Sequence, residues 1–131
     1  MAFTALPSSH ARELGLDHTI PFNKTILNHC GAFDTTASVF TCPVDGIYAF
    51  MTAVIADIHQ NTVTEIVLNG APLVQAYSGA SSVHGFDQGF NTVLTECRAG
   101  DRVWVKMHGN QGSTVLGYGW SSFSGFLVYL L

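Results

Sequence analysis

Charge is scarce in this chain. Asp, Glu, Lys and Arg make up 11% of its 131 residues, against about 25% in an ordinary soluble domain. Only five residues are Lys or Arg, and the formal net charge is −4. Nucleic-acid binders carry a basic patch, so that partner class is excluded, and a polybasic membrane anchor with it. No apolar run approaches the roughly 20 residues of a membrane span, so no membrane insertion is expected. The opening stretch MAFTALPSSHARELGLDH lacks the basic leader and apolar block of a signal peptide, so none is expected within this chain. Cysteine is limited to Cys30, Cys42 and Cys97. They make no CxxC pair and no zinc-ligand spacing. Two readings stay open for them: buried thiols acting as small hydrophobes, or one bridge between a pair the sequence does not choose.

Catalytic signatures are also missing. Gly119-Trp120-Ser121-Ser122-Phe123 fails the G-x-S-x-G elbow at its last position. There is no P-loop, no G-x-G-x-x-G, no H-E-x-x-H and no usefully spaced carboxylate pair. The expectation is a protein that is not an enzyme. Metal ligation has little support. Asp57 and His59 lie two apart, and His84 and Asp87 share a loop, but neither pair has a third ligand, so no metal site is assigned.

Helical periodicity is nearly absent. Ser9–Leu16 is the one candidate, and Gly15 stops it, so it reads as a loop or a single turn. The rest is short apolar runs broken by Gly, Pro, Asn, Asp and Ser, which is the pattern of an all-β sandwich or barrel. Hydrophobic residues reach 47%, enough for one core in one domain over residues 1–131. Strands are expected at Ala2–Leu6, Thr19–Phe22, Thr25–Cys30, Val39–Cys42, Gly46–Asp57, Val63–Asn69, Leu73–Tyr77, Asn91–Cys97, Arg102–His108 and Ser122–Leu131. Pro43–Gly46, Asn69–Gly70 and Ala99–Asp101 are short and rich in turn formers, Asn69–Gly70 giving the strongest hairpin signal. Asp57–Thr62, Ser78–Phe90 and Gly109–Ser121 are longer and polar. Antiparallel succession puts the tight turns at one end and the long loops at the other, where binding usually sits.

The strand faces differ. Val103, Val105 and Met107 alternate with Trp104, Lys106 and His108, which suits a half-exposed strand. Glu65 interrupts one face of its strand. GIYAFMTAVIA, residues 46–56, is apolar on both faces, and so is the last strand. One sheet therefore needs cover on both sides. A second sheet supplies one cover, and a second copy of the chain is the economical source of the other.

Phe22, Asn28, Phe33, Phe40, Gly46, Tyr48 and Phe50 stand at spacings that reproduce the signature of the globular domain of complement component 1q. AFTA, Ser38-Val39-Phe40 before TCPVDGIYAF, VLNG, AGDRVWV and SSFSGFLVYL follow in the expected order. The chain resembles this family over essentially its whole length, most of all the stand-alone invertebrate members. It departs at Thr52, where the family usually has Phe or Tyr. The resemblance implies a ten-strand jelly roll related to tumour necrosis factor that assembles as a trimer. It assigns Tyr48, Phe50, Val54, Phe126 and Val128 to the core or the trimer interface. It also implies secretion and the recognition of microbial surfaces, glycans, lipids or proteins. Some members bind calcium near the trimer apex; no ligand set carries over, so calcium stays open. A collagen-like stalk is not expected here, because no Gly-X-Y repeat is present.

Two functional readings follow. The first is a secreted innate-immune pattern-recognition lectin, a homotrimer whose long loops bind microbial or host glycans. Its candidate site residues are the loop aromatics Tyr77, Tyr118 and Trp120, which could stack on a sugar. Asn61, His84, Asp87 and Gln88 are candidates for bonding its hydroxyls. The second is a protein-binding signalling or extracellular-matrix module without glycan specificity. Asn23-Lys24-Thr25 is a candidate N-glycosylation acceptor at Asn23.

Overall fold

A computed structural model describes residues 1–79, 85–108 and 114–131. The described residues form ten strands: β1 (Ala2–Leu6), β2 (Lys24–Asn28), β3 (Phe33–Asp34), β4 (Val39–Thr41), β5 (Gly46–Ala56), β6 (Asn61–Leu68), β7 (Ala71–Gly79), β8 (Asp87–Cys97), β9 (Arg102–Met107) and β10 (Ser122–Leu130). Two five-stranded sheets result, ordered β2-β1-β10-β5-β8 and β3-β4-β9-β6-β7, with every pairing antiparallel. This is the jelly-roll sandwich expected from the sequence.

The core between the sheets is aromatic. Phe3 stacks on Phe33 and on Phe40, each at 4.8 Å, and meets Phe123 edge-on at 5.0 Å. Tyr48 and Phe50 lie parallel, 6.0 Å apart, and both meet Phe40. The Tyr48 hydroxyl would be costly to bury alone; it donates to the Val44 carbonyl at 2.7 Å. Gly125 makes room for this packing. It lies opposite both Phe3 and Phe50, and a Cβ there would come within 2.6 Å of the Phe50 ring and 2.7 Å of the Phe3 ring. Thr52 points into the same interior, where its hydroxyl donates to the Ser122 carbonyl at 2.9 Å. The Asn69–Gly70 hairpin signal holds: both residues adopt positive φ and join β6 to β7.

Two strand expectations need correction. Thr19–Phe22 is not a strand but a coil strap with one bridge, Thr19 to Lys106. Pro21 has no amide hydrogen to donate to a ladder. β4 begins only at Val39 and its pairing reaches no further along β9 than Val103, so the rest of that edge is open and the strap docks there: Ile20 N donates to Val105 O at 2.9 Å and Met107 N to His18 O at 2.8 Å. The tenth strand is instead β3, only two residues long. It ends where the Asp34 carboxylate accepts the amides of Thr36 and Ala37. The loop expected over Ser78–Phe90 is also shorter, because β7 runs through Gly79 and β8 starts at Asp87.

Tyr48, Phe50 and Val54 belong wholly to the core. Among the described residues, nothing covers the opposite face of the first sheet. Leu94, Ala49, Phe126 and Ala2 align across β8, β5, β10 and β1. Phe90 lies beside Ala53 two rows further along the same face, past Met51 and Thr92. Leu94 is 68% exposed, Phe90 60%, Val128 45% and Phe126 44%. Phe126 and Val128 thus sit on the outside of the sandwich, on an apolar surface of the kind that marks an association site.

Candidate ligand-binding site

The register fixes where the long loops meet. Ala56 pairs with Asp87, Ala53 with Ser122, and Asn61 with Gly79. The end of β5 and the starts of β6, β8 and β10 therefore share one end of the sandwich. Two coil segments close this end. Val115 bridges both Ala11 and Ala56. Leu116 N donates to Ile55 O at 3.0 Å, Tyr118 N to Pro7 O at 2.9 Å, and Ile55 N to the Ser121 hydroxyl at 3.1 Å. Gly117 passes so close to Ser9 that a Cβ would lie 2.0 Å from its carbonyl oxygen. Any larger residue would push the two segments apart.

Between these segments and the start of β8 lies a cavity of about 220 Å³, lined by His10, Arg12, Asp57, Phe86, Leu116 and Trp120. Phe86 and Trp120 are 59% and 58% exposed. Exposed aromatic faces beside a cavity offer stacking surfaces for an apolar or sugar face. The polar groups are paired with each other: Arg12 Nη1 lies 3.7 Å from Asp57 Oδ2. Asp57 is further held by accepting the Ile58 amide through Oδ1 at 2.8 Å. A guanidinium and a carboxylate side by side present donors and acceptors together, which suits adjacent hydroxyls. His10 Nδ1 accepts the Gly117 amide at 2.9 Å, so the neutral ring carries its proton on Nε2. Tyr118 meets that ring edge-on at 5.2 Å.

Of the residues singled out in the sequence, Trp120 lines the cavity and Tyr118 stands beside it on His10. Four others gather at the neighbouring strand ends. Tyr77 is exposed on β7 with its ring over Gly79. Asp87 Oδ2 accepts the Gly79 amide at 2.6 Å, joining the end of β7 to the start of β8. Asn61 opens β6 opposite Gly79, and Gln88 is exposed on β8 opposite Ile55. His84 lies outside the described residues. His10, Arg12, Phe86 and Leu116 were not singled out. Each comes from coil, where no periodicity points to a face. His59 takes a positive φ in a turn closed by Gln60 N to Asp57 O, and Asp57 is engaged by Arg12. Among the described residues no group of three or more His, Cys, Asp or Glu could hold a metal. Asn23 is exposed, and its side-chain oxygen accepts the Ser8 amide at 2.8 Å.

On β6, across from Lys106 of β9, Glu65 is 2% exposed. It accepts from Gln75 Nε2 at 3.1 Å and faces Lys106 Nζ and His108 Nδ1, each at 3.3 Å. Lys106 also reaches Asp17 at 2.7 Å; that bond, then Glu65, holds its ammonium protonated to higher pH than usual. The residue that interrupts a strand face in the sequence is thus the buried centre of a polar network that pins the strap to the sheet.

A two-sheet jelly roll with a loop-built cavity at one end and an uncovered apolar sheet face defines a recognition scaffold. The chain belongs to the C1q domain family: the family model of that description matches residues 2–128. Caprin-2 of Danio rerio is 29% identical over 132 residues, which is 98% of this chain and 14% of that protein. The chain therefore spans about one-seventh of that relative. Among solved structures, the globular domain of zebrafish complement 1qA protein superposes with a TM-score of 0.82 at 19% identity, covering 99% of this chain and 98% of that one. Eiger TNF from S. frugiperda gives 0.80 at 13% identity, covering 100% and 94%. Murine APRIL gives 0.74 at 11% identity, covering 97% and 98%. Domains of this kind are typically extracellular, non-enzymatic binding modules that self-associate as trimers.

Proposed function

We propose that this protein is a secreted, homotrimeric recognition protein of innate immunity that binds microbial or host glycans through its loop end. The observation that carries this reading is the cavity between Phe86 and Trp120, with the Arg12–Asp57 pair in its lining. A pyranose face stacks on an indole while its hydroxyls bond to the paired charges. The apolar sheet face supports the trimer, and three cavities in one particle raise avidity over a single weak site. The test is binding of the purified trimer to immobilised glycans and microbial polysaccharides, with and without calcium. Selective binding that falls at least tenfold in Trp120→Ala, with trimer mass unchanged, is expected. Equal binding by the variant removes the cavity from the account. A likeness to tumour necrosis factor-type folds, Eiger TNF and APRIL among them, favours the second reading, a protein-binding signalling or matrix module. A trimer that ignores every glycan but captures a protein that sugars do not elute selects that reading.

A further inference from the structure

Cys42 and Cys97 are far apart in sequence but belong to one place. Cys42 follows β4 in the second sheet, and Cys97 closes β8 in the first. The turn after Cys97 folds back onto Cys42: Cys42 N donates to Asp101 O and Gly100 N to Cys42 O, both at 2.8 Å. The two side chains are 1% and 0% exposed and sit in the same core cluster. Each thiol acts on the other: Cys97, then burial, holds Cys42 protonated well above the usual thiol range, and Cys42 lowers Cys97. Cys30 is different. It is exposed on a tight turn at positive φ, and its sulfur lies 3.5 Å from His29 Nδ1.

We propose that Cys42 and Cys97 are a disulfide site that bridges the two sheets at the tight-turn end, and that Cys30 remains a free surface thiol. Two buried cysteines in one core cluster, with the turn after Cys97 hydrogen-bonded to both the amide and the carbonyl of Cys42, place the two side chains where a bridge can close. The chemistry is thiol–disulfide exchange with a small-molecule or protein disulfide, the oxidant class of the secretory route. One cysteine thiolate attacks a donor sulfur, forms a mixed disulfide and releases the first donor thiol. The other cysteine then attacks the mixed disulfide, closes the Cys42–Cys97 bond and releases the second. The two thiol protons pass to the two released donor thiolates, and the donor disulfide takes both electrons. Because both sulfurs end buried, exchange occurs while the chain folds, and the finished bridge is shielded from reductant.

The test uses the full chain refolded in a mixture of oxidised and reduced glutathione. The product is denatured without reductant, treated with N-ethylmaleimide and weighed intact. One adduct per chain, on Cys30, and a proteolytic fragment joining Cys42 to Cys97 are expected. Cys30→Ser should then give no adduct, and adding reductant to the denatured wild type should restore three. The unfolding midpoint of the oxidised protein should exceed that of the reduced protein by on the order of 10 °C, because the bridge closes a long loop. Three adducts on the untreated product, or a bridge that includes Cys30, overturns the proposal.

Discussion

The uncovered face of the first sheet gives the sharpest structural prediction. Fully burying a Leu or Phe side chain contributes about 1.5–3 kcal/mol. Leu94, Phe90 and Phe126 stand 68%, 60% and 44% exposed, so covering them contributes about 1–2 kcal/mol each, or roughly 4 kcal/mol per subunit. Three subunits supply on the order of 12 kcal/mol before the costs of association. Leu94→Glu removes the most exposed of these contributions and places a carboxylate opposite Ala49, with Glu96 two residues along the same strand. Among the described residues its cross-strand neighbour is Ala49 and not a cation, and an unpaired charge desolvated at an interface costs several kcal/mol per copy. Because Leu94 points away from the sandwich core, the fold itself should be unchanged by circular dichroism and by thermal midpoint. Sedimentation equilibrium at micromolar concentration should give three times the 14.1 kDa chain mass for the wild type and 14.1 kDa for the variant. A wild type at the single-chain mass, or a variant that keeps the trimer mass, refutes the reasoning.

Three further outcomes follow from the interior and the turns. Thr64 is fully buried and its hydroxyl finds no partner among the described residues, so Thr64→Val should stabilise the fold by about 1 kcal/mol in a urea titration. Lys106→Met strips the buried Glu65 carboxylate of its ammonium and frees Asp17. It should lower the urea midpoint and loosen the strap, the latter read as faster amide exchange at Ile20. The Asp101 carboxyl is held below its usual range by the Arg98 amide and then the Asn69 side chain. A lowered folded value means that its stabilisation is present above about pH 4 and is lost as pH falls through that folded value. The group is exposed, so the effect is well under 1 kcal/mol; Asp101→Asn should flatten that part of the urea-midpoint profile between pH 5 and pH 2.

The sandwich was legible because its strands alternate cleanly. Val103, Val105 and Met107 point inward as their period requires, and Asn69–Gly70 makes its turn by local chemistry alone. β3 was not legible, because two residues have no period and its identity depends on β4 lying beside it. The Thr19–Phe22 strap has the composition of a strand, and Ile20 and Phe22 are buried like one, but Pro21 and the short β4 decide its form. The site was half legible. Trp120 stood out as an aromatic between turn residues, whereas Arg12, Asp57 and Phe86 meet only because three separate segments converge. Long-range register brings them together, and a linear reading does not contain it.

The claim at the centre of this account is that the loop-end cavity takes the ligand. Trp120 in its lining and the half-buried Trp104 on β9 are the two tryptophans of the chain. In Trp104→Phe the emission therefore reports on Trp120 alone. Titrating that trimer with a glycan that the immobilised set shows it binds should shift the emission to the blue and saturate at the same concentration as binding. Saturable binding that leaves Trp120 emission unchanged would contradict the account and place recognition elsewhere on the molecule.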